Sequence, residues 1–244
     1  MTAWLDAKGR FFNPEPKISV VPVGSGSSCV VIDDALAHPE ALRDWAATQS
    51  FQLPQGYPYP GLVLPAPVDL AQRMTEQFGL HVRSRLGARR TVDATVRFSI
   101  VSLPPAALEP VQWLCHRDRF VNEMGHILFA ASVLYLFNDR KLGGTSFYVP
   151  RGSAAQTERL LADSMALPAP EFSRRYGLQP GYIAGSNDYF ERVSQVGAAW
   201  NRIIFYDGGL FHSGDVEDAS LLSTDPLHGR LTLNGFFTCR RNAR

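Results

Sequence analysis

Ile127-Leu128-Phe129-Ala130-Ala131-Ser132-Val133-Leu134-Tyr135-Leu136-Phe137 is an unbroken run of aliphatic, β-branched and aromatic residues with no glycine or proline inside it. Turn residues follow at once, Asn138-Asp139 and then Gly143-Gly144, so the run predicts a buried strand. Runs of the same character occupy residues 91–101, 145–149, 202–206 and 231–238, with a helical interruption at 154–165 that continues at 171–176. Many short strands without regular strand–helix alternation favour an antiparallel double sheet, a jelly roll or similar sandwich with helices packed outside. The pattern alone would equally describe a lectin, a capsid protein or a cupin.

Upstream, the first 90 residues read differently. Strand-like runs at 18–22 and 29–32 precede helical patterns at 39–49 and 68–78. Asp33-Asp34-Ala35 followed by Pro39 offers turn and N-cap chemistry for the first helix. The stretch 52–67, rich in Pro, Gly and Tyr, reads as a loop that only aromatic packing would order. A chain of 244 residues with 45% apolar and 19% charged residues suits one mainly β (α+β) domain with a sizeable core, not disorder. The expected division is a support region over 1–90 and a β core over 91–240, within a single domain 1–244.

A formal net charge of +1 gives no global field to gather nucleic acid or anionic lipid. The basic clusters at 83–90 and 240–244 are short and lack the interleaved aromatics of a base-stacking surface, so no nucleic-acid partner is expected. Cys29, Cys115 and Cys239 are odd in number and without C-x-x-C spacing. That argues against a disulfide framework and a structural zinc site, and for reducing cytoplasm. No apolar stretch approaches 18 residues and the first residues carry no leader-like pattern, so neither membrane spanning nor secretion is expected.

His116-Arg117-Asp118 carries the sharpest chemistry. At a strand end, residues two apart point to one face, so an imidazole and a carboxylate can reach a common ion. His212, after the apolar run 202–206 and the turn Asp207-Gly208-Gly209, is the candidate third ligand. Two histidines and a carboxylate form the facial triad of non-haem Fe(II) oxygenases, which leaves three adjacent positions open. A surface turn is the plain alternative for an isolated His-x-Asp pair. A kinase catalytic loop is rejected, because its Asn would be misplaced at Asn122 and neither a Gly-rich loop nor Asp-Phe-Gly is present. Zinc remains open on ligand types alone. In Gly229-Arg230-Leu231-Thr232-Leu233-Asn234-Gly235-Phe236-Phe237, alternation puts Arg230 and Thr232 on one face, where guanidinium and hydroxyl can clamp a carboxylate; a salt bridge to a protein acid is the alternative.

Four blocks, in order, carry a family resemblance: His116-Arg117-Asp118; Val133-Leu134-Tyr135-Leu136-Phe137-Asn138 with Leu142-Gly143-Gly144-Thr145; Arg202-Ile203-Ile204-Phe205-Tyr206 leading to His212; and the Gly229 to Phe237 segment. Over roughly residues 91–240 the chain resembles the Fe(II)/2-oxoglutarate-dependent dioxygenase superfamily, within it the prolyl 4-hydroxylase-like branch, and a bacterial group of uncharacterised proteins. The resemblance implies a double-stranded β-helix of cupin-like jelly-roll type and Fe(II) on His116, Asp118 and His212. It also implies 2-oxoglutarate as cosubstrate with O₂, its distal carboxylate on Arg230, a hydrogen bond from Thr232 and a phenol from Tyr135. The implied reaction is hydroxylation of a small molecule, an amino acid or a peptide side chain, with release of succinate and CO₂. Since Asp118 supplies a carboxylate where iron halogenases leave room for chloride, halogenation is not expected. The rival readings are a cupin-like metal-binding or sensing protein without redox turnover, and a zinc or manganese hydrolase or isomerase on the same barrel.

A site of that kind needs a lid, and residues 52–67, with Tyr57 and Tyr59, or 181–190, with Tyr182, Asn187 and Tyr189, could supply it; ordered surface loops are the alternative. Arg97 could meet an anionic group on substrate or be spent on solvent or a salt bridge. His38, His81 and His228 read as surface residues, and His126 is a candidate support for the triad. The sequence leaves room for a homodimer and does not identify the substrate.

Overall fold

The computed structural model describes residues 4–5, 9–24, 26–118 and 126–241. The leader-free reading at residues 1–3 and 6–8, Asn122, and the last three residues of the basic run at 240–244 lie outside them.

Strands β1 (Lys17–Pro22) and β2 (Ser28–Asp33) precede helix α1 (Pro39–Ala47). Strand β3 (Gly61–Pro65), helix α2 (Val68–His81) and strand β4 (Ala88–Val101) follow. Then come β5 (Ile127–Tyr135), β6 (Thr145–Pro150), α3 (Ala154–Ala166) and α4 (Ala169–Tyr176). The chain ends with β7 (Phe190–Val196), β8 (Arg202–Asp207), β9 (Phe211–Gly214) and β10 (Arg230–Arg241). All pairings are antiparallel, in a seven-stranded sheet ordered β1-β2-β8-β5-β10-β4-β3 and a three-stranded sheet ordered β7-β6-β9.

The period of two along β10 sorts its side chains between two environments. Leu231, Leu233, Phe237 and Cys239 join an outer core with Leu42 and Ala46 of α1 and Leu70, Met74 and Phe78 of α2. Phe78 stacks on Phe237 with 4.2 Å between centroids, which fixes α2 across the sheet. The alternate residues Arg230, Thr232, Asn234 and Phe236 face the other way. There Tyr135, Ile204 and Tyr206 of the large sheet, with Phe137 just beyond β5, pack with Phe147 and Val196 of the small one. A third cluster, including Trp113, Leu114, Cys115, Phe172 and Phe190, packs α3 and α4 beside the small sheet and anchors the residues leading into His116.

Several local expectations need correction. Residues 61–65 of the expected loop are a strand, β3, which covers the outer edge of β4. The N-cap of α1 is His38, without a side-chain bond, and Pro39 occupies the first helical position. Asp33 is not a cap: it takes a two-pronged ion pair from Arg202, at 2.6 and 3.0 Å. The helical stretch breaks at Leu167-Pro168 into α3 and α4, since proline at the start of α4 has no N–H to continue the first helix. β4 starts at Ala88, and β1, β2 and β3 from the first 90 residues share the sheet formed by the later strands.

Candidate metal centre

His116 and His212 form an isolated antiparallel bridge, each backbone N–H donating to the other's carbonyl at 2.9 Å. The pairing extends the small sheet by one short segment and sets the two imidazoles side by side, 4.5 Å between centroids. Asp118, two residues on, is held by its own N–H donating to the Gly208 carbonyl at 2.8 Å. Arg117 points the opposite way, to Glu158 of α3 at 2.6 Å and across the Phe211 ring. Strand alternation thus delivers His116 and Asp118 to one face, as their spacing predicts.

The three residues offer ligand atoms that all lie within 4.8 Å of one another. His116 Nε2 is 3.7 Å from Asp118 Oδ1, and His212 Nε2 is 3.5 Å from Asp118 Oδ2. Adjacent ligands about 2.1 Å from one ion would stand roughly 3 Å apart, so small side-chain rotations close the set. The Nδ1 of His212 contacts the Leu210 carbonyl at 2.9 Å, which keeps Nε2 free as the ligand atom. Asp118 Oδ2 is buried and accepts no hydrogen bond from the described residues. An orphaned buried carboxylate oxygen is costly, and a cation between it and two imidazoles removes the cost. The donor set therefore fits Fe(II), which takes two histidines and a carboxylate.

The protein around the His116 ring, the neighbouring His212 and Arg97 hold His116 below its ordinary pKa against the pull of Asp118. Since that side chain is 56% exposed, the adjacent imidazole is the firmer cause. The ring is therefore neutral at pH 7, the form in which an imidazole can bind a metal. Gly208 is required by close approach: a Cβ there would meet Asp118 Oδ2 at 2.9 Å and the Phe129 carbonyl at 3.0 Å.

Arg230 is 5% exposed. It donates through Nε to the Leu142 carbonyl at 2.8 Å and through Nη2 to the Gly144 carbonyl at 2.9 Å, and its guanidinium carbon lies 5.6 Å from the Phe137 centroid. No carboxylate of the described residues pairs with it, so among those residues the salt-bridge alternative finds no partner. Gly144 accepts this bond where a Cβ would collide with the Val196 carbonyl. Thr232 is buried, and its hydroxyl reaches the Ser99 carbonyl at 3.4 Å. Tyr135 lies directly across from Thr232 in the register, with its phenol 2.8 Å from the Thr145 hydroxyl. Its pKa is raised by burial, with Thr145 and Arg230 opposing, so it stays a neutral donor.

Residues 14–237 match the family described as "Family of unknown function (DUF6445)". The chain belongs to this family. No curated protein matches it. Among solved structures, the DUF6445 chain is similar to HygX from Streptomyces hygroscopicus with nickel and 2-oxoglutarate bound, at 13% identity and TM-score 0.42, covering 92% of this chain and 83% of HygX. The iron-bound form of HygX aligns at 12% identity and TM-score 0.43, over 92% and 82%. An N-substituted L-amino acid dioxygenase from Burkholderia ambifaria AMMD aligns at 13% identity and TM-score 0.36, over 88% and 86%.

Other residues of the DUF6445 chain divide clearly. Tyr57 and Tyr59 lie over the Arg97 guanidinium, at 4.3 and 5.8 Å, so the aromatic residues of 52–67 do hold that segment down. In 181–190 the phenols are spent within the fold: Tyr182 donates to Leu103, Tyr189 to Tyr176, and the Asn187 side chain accepts from the N–H groups of Tyr189 and Phe190. His38, His81, His126 and His228 are exposed. Sequence reasoning passed over Tyr206, whose ring stands 4.7 Å from His212, and Asn234, on the Arg230 face of β10. The signal for both was the period of two within strands already recognised. Cavities of about 530 and 580 Å³ lie elsewhere, beside α1 and beside the segment joining α3 to α4, and neither touches the three ligand residues.

Proposed function

We propose that this DUF6445 protein is a non-haem Fe(II)- and 2-oxoglutarate-dependent dioxygenase of the prolyl 4-hydroxylase-like branch. It would hydroxylate a small molecule, an amino acid or a peptide side chain and release succinate and CO₂. The observation that carries the reading is the convergence of His116, Asp118 and His212 within 4.8 Å, in a fold that also buries Arg230 with no acid beside it among the described residues. A metal-storage or hydrolytic site does not call for a desolvated guanidinium on the same inner face; a dicarboxylic cosubstrate does.

In this reading His116, Asp118 and His212 hold the metal. Arg230, pre-positioned by two backbone carbonyls, presents its remaining N–H groups to the distal carboxylate, and Thr232 adds a hydroxyl. Tyr135, paired with Thr145 and across from Thr232, offers a neutral phenol beside this clamp. Bound iron would supply, with 2-oxoglutarate and O₂, the oxidising power for C–H hydroxylation. Tyr206 and Phe137, from the core between the sheets, limit water around the ligands and the guanidinium.

The fold belongs to the same proposal. The small sheet, lengthened by the bridge at His116, faces the large sheet as the two halves of a double-stranded β-helix. Residues 91–240 form the catalytic core of a single domain, and residues 1–90 brace it. Three buried, free cysteines fit a reducing cytoplasmic setting. The test is succinate formation from 2-oxoglutarate with Fe(II) and O₂ across a panel of amino acids, peptides and other metabolites. At least one member should raise succinate above the uncoupled background in the wild type and not in Asp118→Ala. Uniform background turnover in both proteins would remove the dioxygenase assignment.

A further inference from the structure

We propose that Arg97 anchors the carboxylate of the primary substrate, which makes that substrate an amino or hydroxy acid whose own N–H or O–H meets the side-chain oxygen of Asn234. The assignment rests on the 2-oxoglutarate reading and names the substrate class for it.

Arg97 lies on β4 between Val96 and Phe98, which both turn to the outer core. Its own side chain is therefore on the inner face, directly across from Asn234 of β10. Three rings surround the guanidinium carbon: Tyr57 at 4.3 Å, Phe236 at 4.8 Å and Tyr59 at 5.8 Å. Rings stacked on a guanidinium leave its edges free for two-pronged contact with a carboxylate. No carboxylate of the described residues pairs with Arg97, and its Nε is buried without an acceptor. Asn234 spends its amide nitrogen on the Ser99 hydroxyl at 3.0 Å, and its Oδ1 is buried without a donor. Among the described residues, an orphan donor and an orphan acceptor thus stand on paired residues. One molecule with a carboxylate and a nearby N–H or O–H satisfies both.

The position suits a substrate and not a second grip on the cosubstrate. Arg230 and Asn234 are four residues apart on β10, roughly 13 Å along the strand, so the anchor at Arg97 is separate from the guanidinium at Arg230. Tyr206, beside His212, is opposite Ala131, and Ala131 is opposite Phe236. Phe236 is thus two strands, roughly 10 Å, from the ring that touches the metal ligand. An acid held at Arg97 would extend along this row toward the open side of the triad. Tyr57 is 37% exposed, so the anchor opens at the surface there.

The experiment is an anaerobic thermal-shift and calorimetric titration of the protein loaded with Fe(II) and saturating 2-oxoglutarate. The probes are the twenty L-amino acids, their 2-hydroxy-acid analogues and the matched primary amides. At least one acid should bind the wild type tenfold or more tightly than its amide. Arg97→Gln and Arg97→Lys should each lose at least tenfold of that affinity, while the 2-oxoglutarate titration stays within about twofold of wild type and certifies the fold. Equal binding of acids and amides, no binding by any probe, retained acid affinity in either variant, or a loss of 2-oxoglutarate affinity matching that of Arg230→Gln would each overturn the assignment. If the wild type fails to take up 2-oxoglutarate on Fe(II), the function reading itself falls; normal uptake without acid preference removes Arg97 alone.

Discussion

The carboxylate of Asp118 shows at the scale of one residue how a site can be bought with stability. Its Oδ2 is buried and has no partner among the described residues, which raises the energy of the metal-free fold. Asp118→Ala should leave the metal-free melting temperature equal to or above that of wild type, yet abolish the rise on adding Fe(II) and lower iron-dependent turnover by at least 100-fold. A metal-free variant melting well below wild type would mean the carboxylate is structural. Arg230 behaves oppositely, because its removal strips donors from the Leu142 and Gly144 carbonyls. Arg230→Ala should raise the 2-oxoglutarate requirement at least tenfold and cost about 2 kcal/mol in denaturant melts; wild-type affinity in the variant would mean that Arg230 does not hold the cosubstrate. Burial pushes the Cys29 thiol up to about 12 from its ordinary 9.0, against smaller opposing effects of a Phe205 backbone hydrogen bond and Arg202. Its folded pKa lies above its unfolded one, so its contribution to stability is complete below pH 9 and fades as pH climbs toward 12. Thiol titration with a disulfide reagent at pH 8 should find Cys29 inert in the native protein and reactive in denaturant; fast native labelling would contradict its burial.

Among the elements, β10 was the most legible in the sequence and β9 the least. Alternation along β10 separates Leu231, Leu233 and Phe237 from Arg230, Thr232 and Asn234 without any knowledge of partners, because a strand has two faces and the chain commits each to one environment. β9 is four residues, Phe211–Gly214, and forms only through its pairing with β6 and the long-range bridge to His116. No local propensity encodes that. β7, largely polar and exposed on the sheet edge, and β3, flanked by prolines, escaped for the same reason. Of the helices, α2 bears most directly on the large sheet. Phe78 is fully buried against Phe237 and Phe205. Phe78→Ala should therefore cost about 3–5 kcal/mol in chemical denaturation. A loss below 1 kcal/mol would show that the helix does not brace the sheet behind β10.

For the whole molecule, the question is whether one chain brings a metal triad and a cosubstrate clamp to the same interior. The order of four short motifs raises this expectation, since each is weak alone and only the fold can supply their meeting. What the sequence did not disclose is how the inner surface is assembled, with Arg97 across from Asn234 and under Tyr57, and Tyr206 beside His212. Ligand binding should also stabilise the molecule as a unit, by about 2.7 kcal/mol at a ligand concentration 100 times its Kd. The most direct measurement is the visible absorption spectrum of the anaerobic protein titrated with Fe(II) and 2-oxoglutarate. The account predicts a weak metal-to-ligand charge-transfer band that saturates with one iron and one 2-oxoglutarate per chain and disappears in His212→Ala. A spectrum in which wild type and His212→Ala are alike would contradict it.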